Sequence, residues 1–379
     1  MKRFAPTGRL HLPQLCALSG VMGFVTPNRV VRYTDRELPR QPPNKRALLI
    51  GINYGTKAAG PGGELRGPQR DVIEMRDLLI GTYDYKYENI VVLSDRVGAE
   101  DHLMPTKANI MRELHTFLSG QNAGDQYTFL FSGHASQSPT DDEGEKDGQD
   151  ELIMTSDGEY IIDDILHDQL VKRLLPGSRL VAVFDTCHSG TLLDLPHDKC
   201  NRVASWTSCM RRSVRRVLET VWSDLVESNT NKIIQEFRKT LAERFLPNPF
   251  CSGYCPRIKP LGPNPNVLCI SACKDSQEAF ETDDGKSLMS IIAKTLRKNP
   301  HPSLERLMRA TSQGSRDLNQ EILQKQVQFD KDMEGYQQRY GYTAPGPSTP
   351  STPRPELRYQ RDPQLSSLHP LRMDCIFDL

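Results

Sequence analysis

Short unbroken apolar runs alternate along much of this chain with segments whose apolar residues recur every three or four positions. The run from Arg46 to Asn53 is closed by Gly51 and Asn53, and runs of the same kind span 89–93, 127–131 and 179–184, with a weaker one at 267–270. Runs this short, with no polar alternation, predict strands covered on both faces. Between them, Val72, Met75, Leu78 and Leu79 form one helical face, and Ile110, Leu114 and Phe117 another. Leu166, Leu170 and Leu174 fall at i, i+4 and i+8, and two later helices follow from Leu288, Ile291, Ile292 and Leu296 and from Leu304, Leu307 and Met308. Strand and helix in alternation predict an α/β fold: a mostly parallel sheet sandwiched by helices.

The rhythm breaks at 195–263. Arg211, Arg212, Arg215 and Arg216 precede two amphipathic segments, one carrying Val214, Leu218 and Val221, the other Ile233, Phe237 and Leu241, and a Pro-rich stretch follows. This pattern reads as a helical insertion that packs on the body rather than as a second core. Residues 342–358, rich in Pro, Ser and Thr, lack the apolar surface needed to offset ordering and are expected to be disordered.

Composition narrows the function classes. The 379 residues carry 48 basic and 48 acidic side chains, a balance that argues against a dedicated nucleic-acid or membrane-surface protein. No run reaches the length of a spanning helix, so no stable membrane insertion is expected. Nine cysteines, an odd number spread over a long chain, do not form a disulfide framework and favour a reducing compartment, taken as the cytoplasm. The first 34 residues are basic and free of acid. A mitochondrial presequence would share that composition, but a flexible extension is the simpler expectation.

Two predicted strands run into reactive side chains. One continues into Ser132, Gly133 and His134, the other into Asp185, Thr186, Cys187, His188, Ser189 and Gly190. Ligands of open parallel sheets bind beyond the carboxyl ends of the strands, so both ends should open on one crevice. A thiol of ordinary pKa is little ionised at neutral pH and needs a nearby imidazole to take its proton. His134 and His188 both compete for that role. His188 adjoins the sulfur in sequence but diverges from it at a strand end, whereas His134 can face it from a separate strand. No third, orienting residue is identifiable.

These residues resemble the caspase-like cysteine peptidases, and specifically type I metacaspases of the fungal kind. Residues 45–54 resemble the family's opening strand, and Glu64 to Gly67 with Asp71 the following loop. Ser132-Gly133-His134 and Asp185 to Gly190 resemble the His and Cys motifs. Cys187 lies 53 positions after His134, close to the roughly 50 seen in caspases. The resemblance implies a caspase-like sheet and peptide hydrolysis through an acyl-enzyme, with Cys187 as nucleophile and His134 as general base and then acid. The backbone N–H groups of Gly133 and Cys187 would form the oxyanion hole.

The resemblance also implies a pocket made by Asp71, Ser132 and Asp185, whose two carboxylates would select Arg or Lys. The plainer alternative is that Asp71 caps its helix and Asp185 merely ends a strand. Pro68 departs from the family's pattern, which has cysteine there. Asp150, Asp163, Asp164 and Asp194 map onto the family's calcium ligands, implying activating Ca2+ and no organic cofactor. Asp163 and Asp164 have a competing role at the start of their helix. Cys251, Cys255, Cys269 and Cys273 have a zinc-like spacing, but Cys269 sits in a predicted strand, where packing is the simpler account.

The expected organisation is a flexible basic extension at 1–44, a large-subunit-like catalytic region at 45–195, an inserted linker at 196–265, and a small-subunit-like region at 266–340. A disordered segment at 341–360 and a closing strand within 361–379 complete it. The expected function is a calcium-stimulated endopeptidase acting after Arg or Lys on protein or peptide substrates. It would act as a monomer, without nucleic acid, and could cut itself at Lys199, Arg202, Arg211 or Arg212. A non-proteolytic scaffold that binds misfolded or partner proteins is the alternative. A nucleotide-binding domain fits the fold class but lacks the phosphate loop.

Overall fold

A computed structural model describes residues 43–55, 63–140, 148–186, 192–197, 265–272, 286–340, 363–371 and 373–379. Its main sheet is built from β1 (Lys45–Gly51), β2 (Ile90–Ser94), β3 (Gln126–Ser132), the strands at Arg179–Asp185 and Asn266–Ser271, and a last strand at Gln364–Ser367. Between β3 and Arg179 lie three shorter strands, β4 (Ala135–Pro139), β5 (Gln149–Met154) and β6 (Tyr160–Ile162), so the later strands are β7, β8 and β9. The main sheet runs β2-β1-β3-β7-β8-β9. All its pairs are parallel except β8–β9, which closes the sheet antiparallel.

Alternate residues of each central strand reach opposite faces, which is why these runs show no polar positions. Leu48 and Ile50 of β1, with Leu180, Ala182 and Phe184 of β7, pack on α2 (Lys107–Phe117) and on Leu166 and Leu170. Ala47 and Leu49, with Val181 and Val183, pack against α1 (Pro68–Tyr83), α4 (Leu288–Lys298) and the start of α5 (Leu304–Tyr340). The parallel sheet between helical layers is therefore as expected from the sequence.

Two features differ from the sequence reading. The Leu166–Leu174 segment begins as α3 (Asp163–His167) and continues as a π-helical turn over Asp168–Lys172. The wider π turn keeps residues spaced by four on one face. Strands β4, β5 and β6 form a separate antiparallel sheet that the pattern did not predict. Their apolar signal is weak because β4 carries no large apolar residue and β6 has only three residues. The inserted linker's amphipathic segments, the Pro/Ser/Thr segment and residues 1–42 of the basic extension lie outside the described residues.

The register decides where chemistry can occur. Ser132 at the end of β3 pairs with Asp185 at the end of β7, and Gly51 at the end of β1 pairs with Ser132. A Cβ at Gly51 would come within 2.4 Å of the Pro68 carbonyl oxygen, so only glycine lets α1 start against this edge. Pro68 is the first residue of that helix, where the missing N–H costs nothing.

Candidate active site

His134 leaves the end of β3 half-buried, and its setting is built by backbone groups and one tyrosine. Asn53 and Tyr54, just past β1, donate their N–H groups to the Asp95 carboxylate at 2.9 and 2.7 Å. These bonds hold Tyr54 at φ 62°, a conformation a bulky residue adopts only when its surroundings enforce it. The Tyr54 hydroxyl then donates to the Met154 carbonyl at 2.8 Å and accepts from the His134 N–H at 2.9 Å. Burial pushes its phenol well above the ordinary range, so it stays neutral. The two rings lie 4.7 Å apart. A Cβ on Gly133 would come within 2.8 Å of this hydroxyl, so that position also needs glycine.

The imidazole Nε2 lies 2.8 Å from the Gly63 carbonyl oxygen. A carbonyl can only accept, so Nε2 carries the proton and the neutral ring presents Nδ1 as its basic atom. Sequence reading found no orienting third group. The structure supplies one as a backbone carbonyl, a group every residue has and no side-chain pattern reveals.

Beside His134 lies an acidic cluster assembled from distant parts of the chain. Ser132 donates to one oxygen of Asp71 at 2.8 Å and Ser287 to the other at 2.6 Å, from residues 61 and 216 positions away. Asp185 accepts the backbone N–H of Met289 at 2.7 Å. Asp71 is 1% exposed, and its carboxyl is raised well above the usual range, first by burial and then by the charge of Asp185. Asp185 itself is half-buried.

The structure thus brings Asp71, Ser132 and Asp185 together. Asp71 does not cap α1, since Gly67 holds that position and the carboxylate turns to the two serines. Ser287 was missed. Its sequence signal, Ser287 three residues before Ser290 and ahead of an apolar face, marks a helix start, and the two serines form a capping box. Nothing in that pattern points to Asp71.

Residues 45–196 match the family model described as metacaspase, peptidase C14 domain. This segment is similar to a metacaspase domain. Similar chains include Metacaspase-1 of Eremothecium gossypii, 42% identical over 46% of this chain and 38% of that one. Metacaspase-1 of Yarrowia lipolytica is 35% identical over 64% and 51%, and that of Cryptococcus neoformans var. neoformans serotype D is 32% identical over 70% and 58%. The match thus spans roughly two fifths to three fifths of these relatives' own lengths. The solved structure of Caspase-1 from Spodoptera frugiperda superposes with a TM-score of 0.40 at 10% identity, covering 92% of this chain and 94% of that one.

Metacaspases are caspase-like cysteine peptidases, and Cys187, the expected nucleophile, falls within the matched segment. Cys187 and His188 lie outside the described residues, whose nearest member is Thr186, one residue past β7. Gly133, assigned to the oxyanion hole, directs its N–H toward the Asp185 carbonyl at 3.4 Å, a length at which a hydrogen bond is weak.

The expected calcium ligands of the metacaspase domain are less well gathered. Asp150 sits on β5 opposite Ser138. Asp163 opens α3, with one oxygen accepting the Glu151 N–H at 3.1 Å and the other the Asp164 N–H at 2.8 Å. Burial raises its carboxyl, and the Asp150 charge adds to the rise. Asp164 is exposed, while Asp194 sits at φ 41° and is half-buried. Among the described residues, no three His, Cys, Asp or Glu side chains are placed to hold a metal ion. Calcium takes six to eight oxygens; of these four aspartates, Asp150 and Asp163 act on each other electrostatically. The helix-start role predicted as the competing account of Asp163 is realised.

Cys269 is buried within β8, its thiol pushed up to about 11 by burial. It is inert packing, as anticipated, while Cys251, Cys255 and Cys273 lie outside the described residues. No described helix is long and apolar enough to cross a membrane.

Proposed function

We propose that this chain is a cysteine endopeptidase that cleaves after Arg or Lys in proteins or peptides. The observation that carries this reading is the acidic pair Asp71–Asp185, tied to Ser132 two residues before His134, whose imidazole meets the Gly63 carbonyl. A buried pair of like charges is costly unless a cation offsets it. An Arg side chain does so with two parallel hydrogen bonds, and a Lys with a point charge. Asp185, the more accessible of the two, would meet the cation directly, with the Asp71 charge reinforcing it from below.

In the proposed reaction His134 Nδ1 takes the proton of the Cys187 thiol as the sulfur attacks the scissile carbonyl. The resulting imidazolium keeps its bond to the Gly63 carbonyl and passes the acquired proton to the departing amine. An acyl-enzyme remains. A water then loses its proton to Nδ1 and attacks the thioester, releasing the acid and regenerating thiol and imidazole.

Self-cleavage at Lys199, Arg202, Arg211 or Arg212 belongs to the same proposal, because these are basic residues following the Cys motif. Calcium stimulation enters as an effect outside the chemistry, in which the ion relieves the repulsion between Asp150 and Asp163. A peptide electrophile carrying Arg should label wild-type protein at Cys187, while Cys187→Ala should be neither labelled nor self-cleaved. Absence of labelling, or self-cleavage persisting in Cys187→Ala, would overturn the reading. Partner binding that survives that substitution would favour a scaffold instead.

A further inference from the structure

We propose that Ser287, at the start of α4, is a specificity-determining positioning residue: its hydroxyl holds Asp71 in the charged form that the basic-residue pocket requires. The inference rests on the pocket reading above and adds a residue from the second half of the chain, outside the matched metacaspase domain at 45–196.

The geometry is specific. Ser287 Oγ donates to Asp71 Oδ1 at 2.6 Å and accepts the Ser290 N–H at 3.1 Å, so a single hydroxyl both caps α4 and holds the carboxylate. Two residues later the Met289 N–H donates to Asp185 Oδ2 at 2.7 Å. One turn of α4 therefore grips one oxygen of each pocket carboxylate. Asp71 is 1% exposed, and its carboxylate accepts from the hydroxyls of Ser132 and Ser287.

The charged groups acting on it are Asp185 from β7 and Arg70 from its own helix. Burial and Asp185 favour the neutral acid, while the two serines and Arg70 favour the carboxylate. Loss of the Ser287 hydroxyl shifts that balance toward protonation. The pocket would then keep one negative charge in place of two, and the penalty would fall on binding of a basic side chain rather than on the Cys–His chemistry.

Capping and charge control can be separated. Glycine is nearly as good an N-cap as serine, costing only a few tenths of a kcal/mol, but it cannot donate to Asp71. Ser287→Gly should lower kcat/KM for an Arg peptide about tenfold, the scale of one hydrogen bond to a charged group. Most of the loss should appear in KM, with the acid limb of the pH profile moved upward. Alkylation of Cys187 by iodoacetamide, which does not use the pocket, should keep its wild-type rate. Ser287→Thr, which retains both roles, should restore the KM. Ser290→Ala, which breaks the other half of the capping box, should leave it unchanged.

An Arg-peptide KM for Ser287→Gly within twofold of wild type would overturn the proposal, as would an equal loss in Ser290→Ala. If wild-type protein alkylates normally but shows no preference for basic peptides, the pocket reading itself fails. That outcome is distinct from a Ser287 effect that is merely absent.

Discussion

Two groups of aspartate in this structure are built in opposite ways. Around Asp71 and Asp185 the donors come from β3, from Ser287 and from the first turn of α4, at sequence separations of 61, 216 and 104. Around Asp163 the donors are backbone amides 12 and 1 positions away. The local arrangement is what a helix start beside a strand produces on its own. The distant one exists only because four elements converge on a charge that burial and a like-charged neighbour oppose. Long-range assembly around an unfavourable charge points to function more often than to packing, whereas the donors around Asp163 are those its helix start supplies.

Substitutions can break or sharpen this contrast. The largest effect should come from Asp185→Asn, which removes the pocket's accessible charge and should reduce kcat/KM for Arg peptides about 10²-fold. Its fold, followed by circular dichroism, should be unchanged. Asp71→Asn should also weaken Arg-peptide cleavage, by more than tenfold, while raising stability at neutral pH.

The sign follows from the raised carboxyl of Asp71. A group whose folded pKa lies above its unfolded value favours the fold below the unfolded pKa, and that benefit is lost as pH rises through the folded pKa. The gap in unfolding midpoint between Asp71→Asn and wild type should therefore widen upward from the unfolded aspartate range near pH ~4. A midpoint that falls in the variant would show that Asp71 is structural after all.

Asp163→Ala should behave in the reverse manner. It leaves the Glu151 and Asp164 N–H groups without their acceptor and should cost about 1–3 kcal/mol in denaturant unfolding. Its effect on cleavage without added calcium should be within about twofold, as for substitutions away from a functional network. Smaller still, Tyr54→Phe should cost about 1 kcal/mol and lower kcat modestly, since His134 loses one of its supports.

Much of this contrast was legible in the residues. Strands β1, β3, β7 and β8 could be read because each is largely buried on both faces, and β2 because it too is a nearly continuous apolar run. Asp71, Ser132, His134 and Asp185 were legible as family motifs at strand ends. The antiparallel sheet β4–β6 was not, because β4 carries no apolar alternation and β6 is too short for a period to show.

Ser287 was hidden behind its own capping pattern, which accounts for the serine without reference to Asp71. The Gly63 carbonyl and the Tyr54 hydroxyl were invisible for a different reason. Both depend on backbone placement, one as a main-chain group and the other as a side chain aimed by a left-handed φ.

The account's central claim is that the acidic pair beside His134 sets the specificity of Cys187. It is tested most directly by comparing kcat/KM for peptides that differ only in Arg, Lys or Asp at the cleaved residue, with Cys187→Ala as the blank. The account predicts that Arg and Lys peptides are cut at least about 10²-fold faster than the Asp peptide, because a carboxylate side chain would add a third negative charge to the pocket. Equal or faster hydrolysis of the Asp peptide would contradict it.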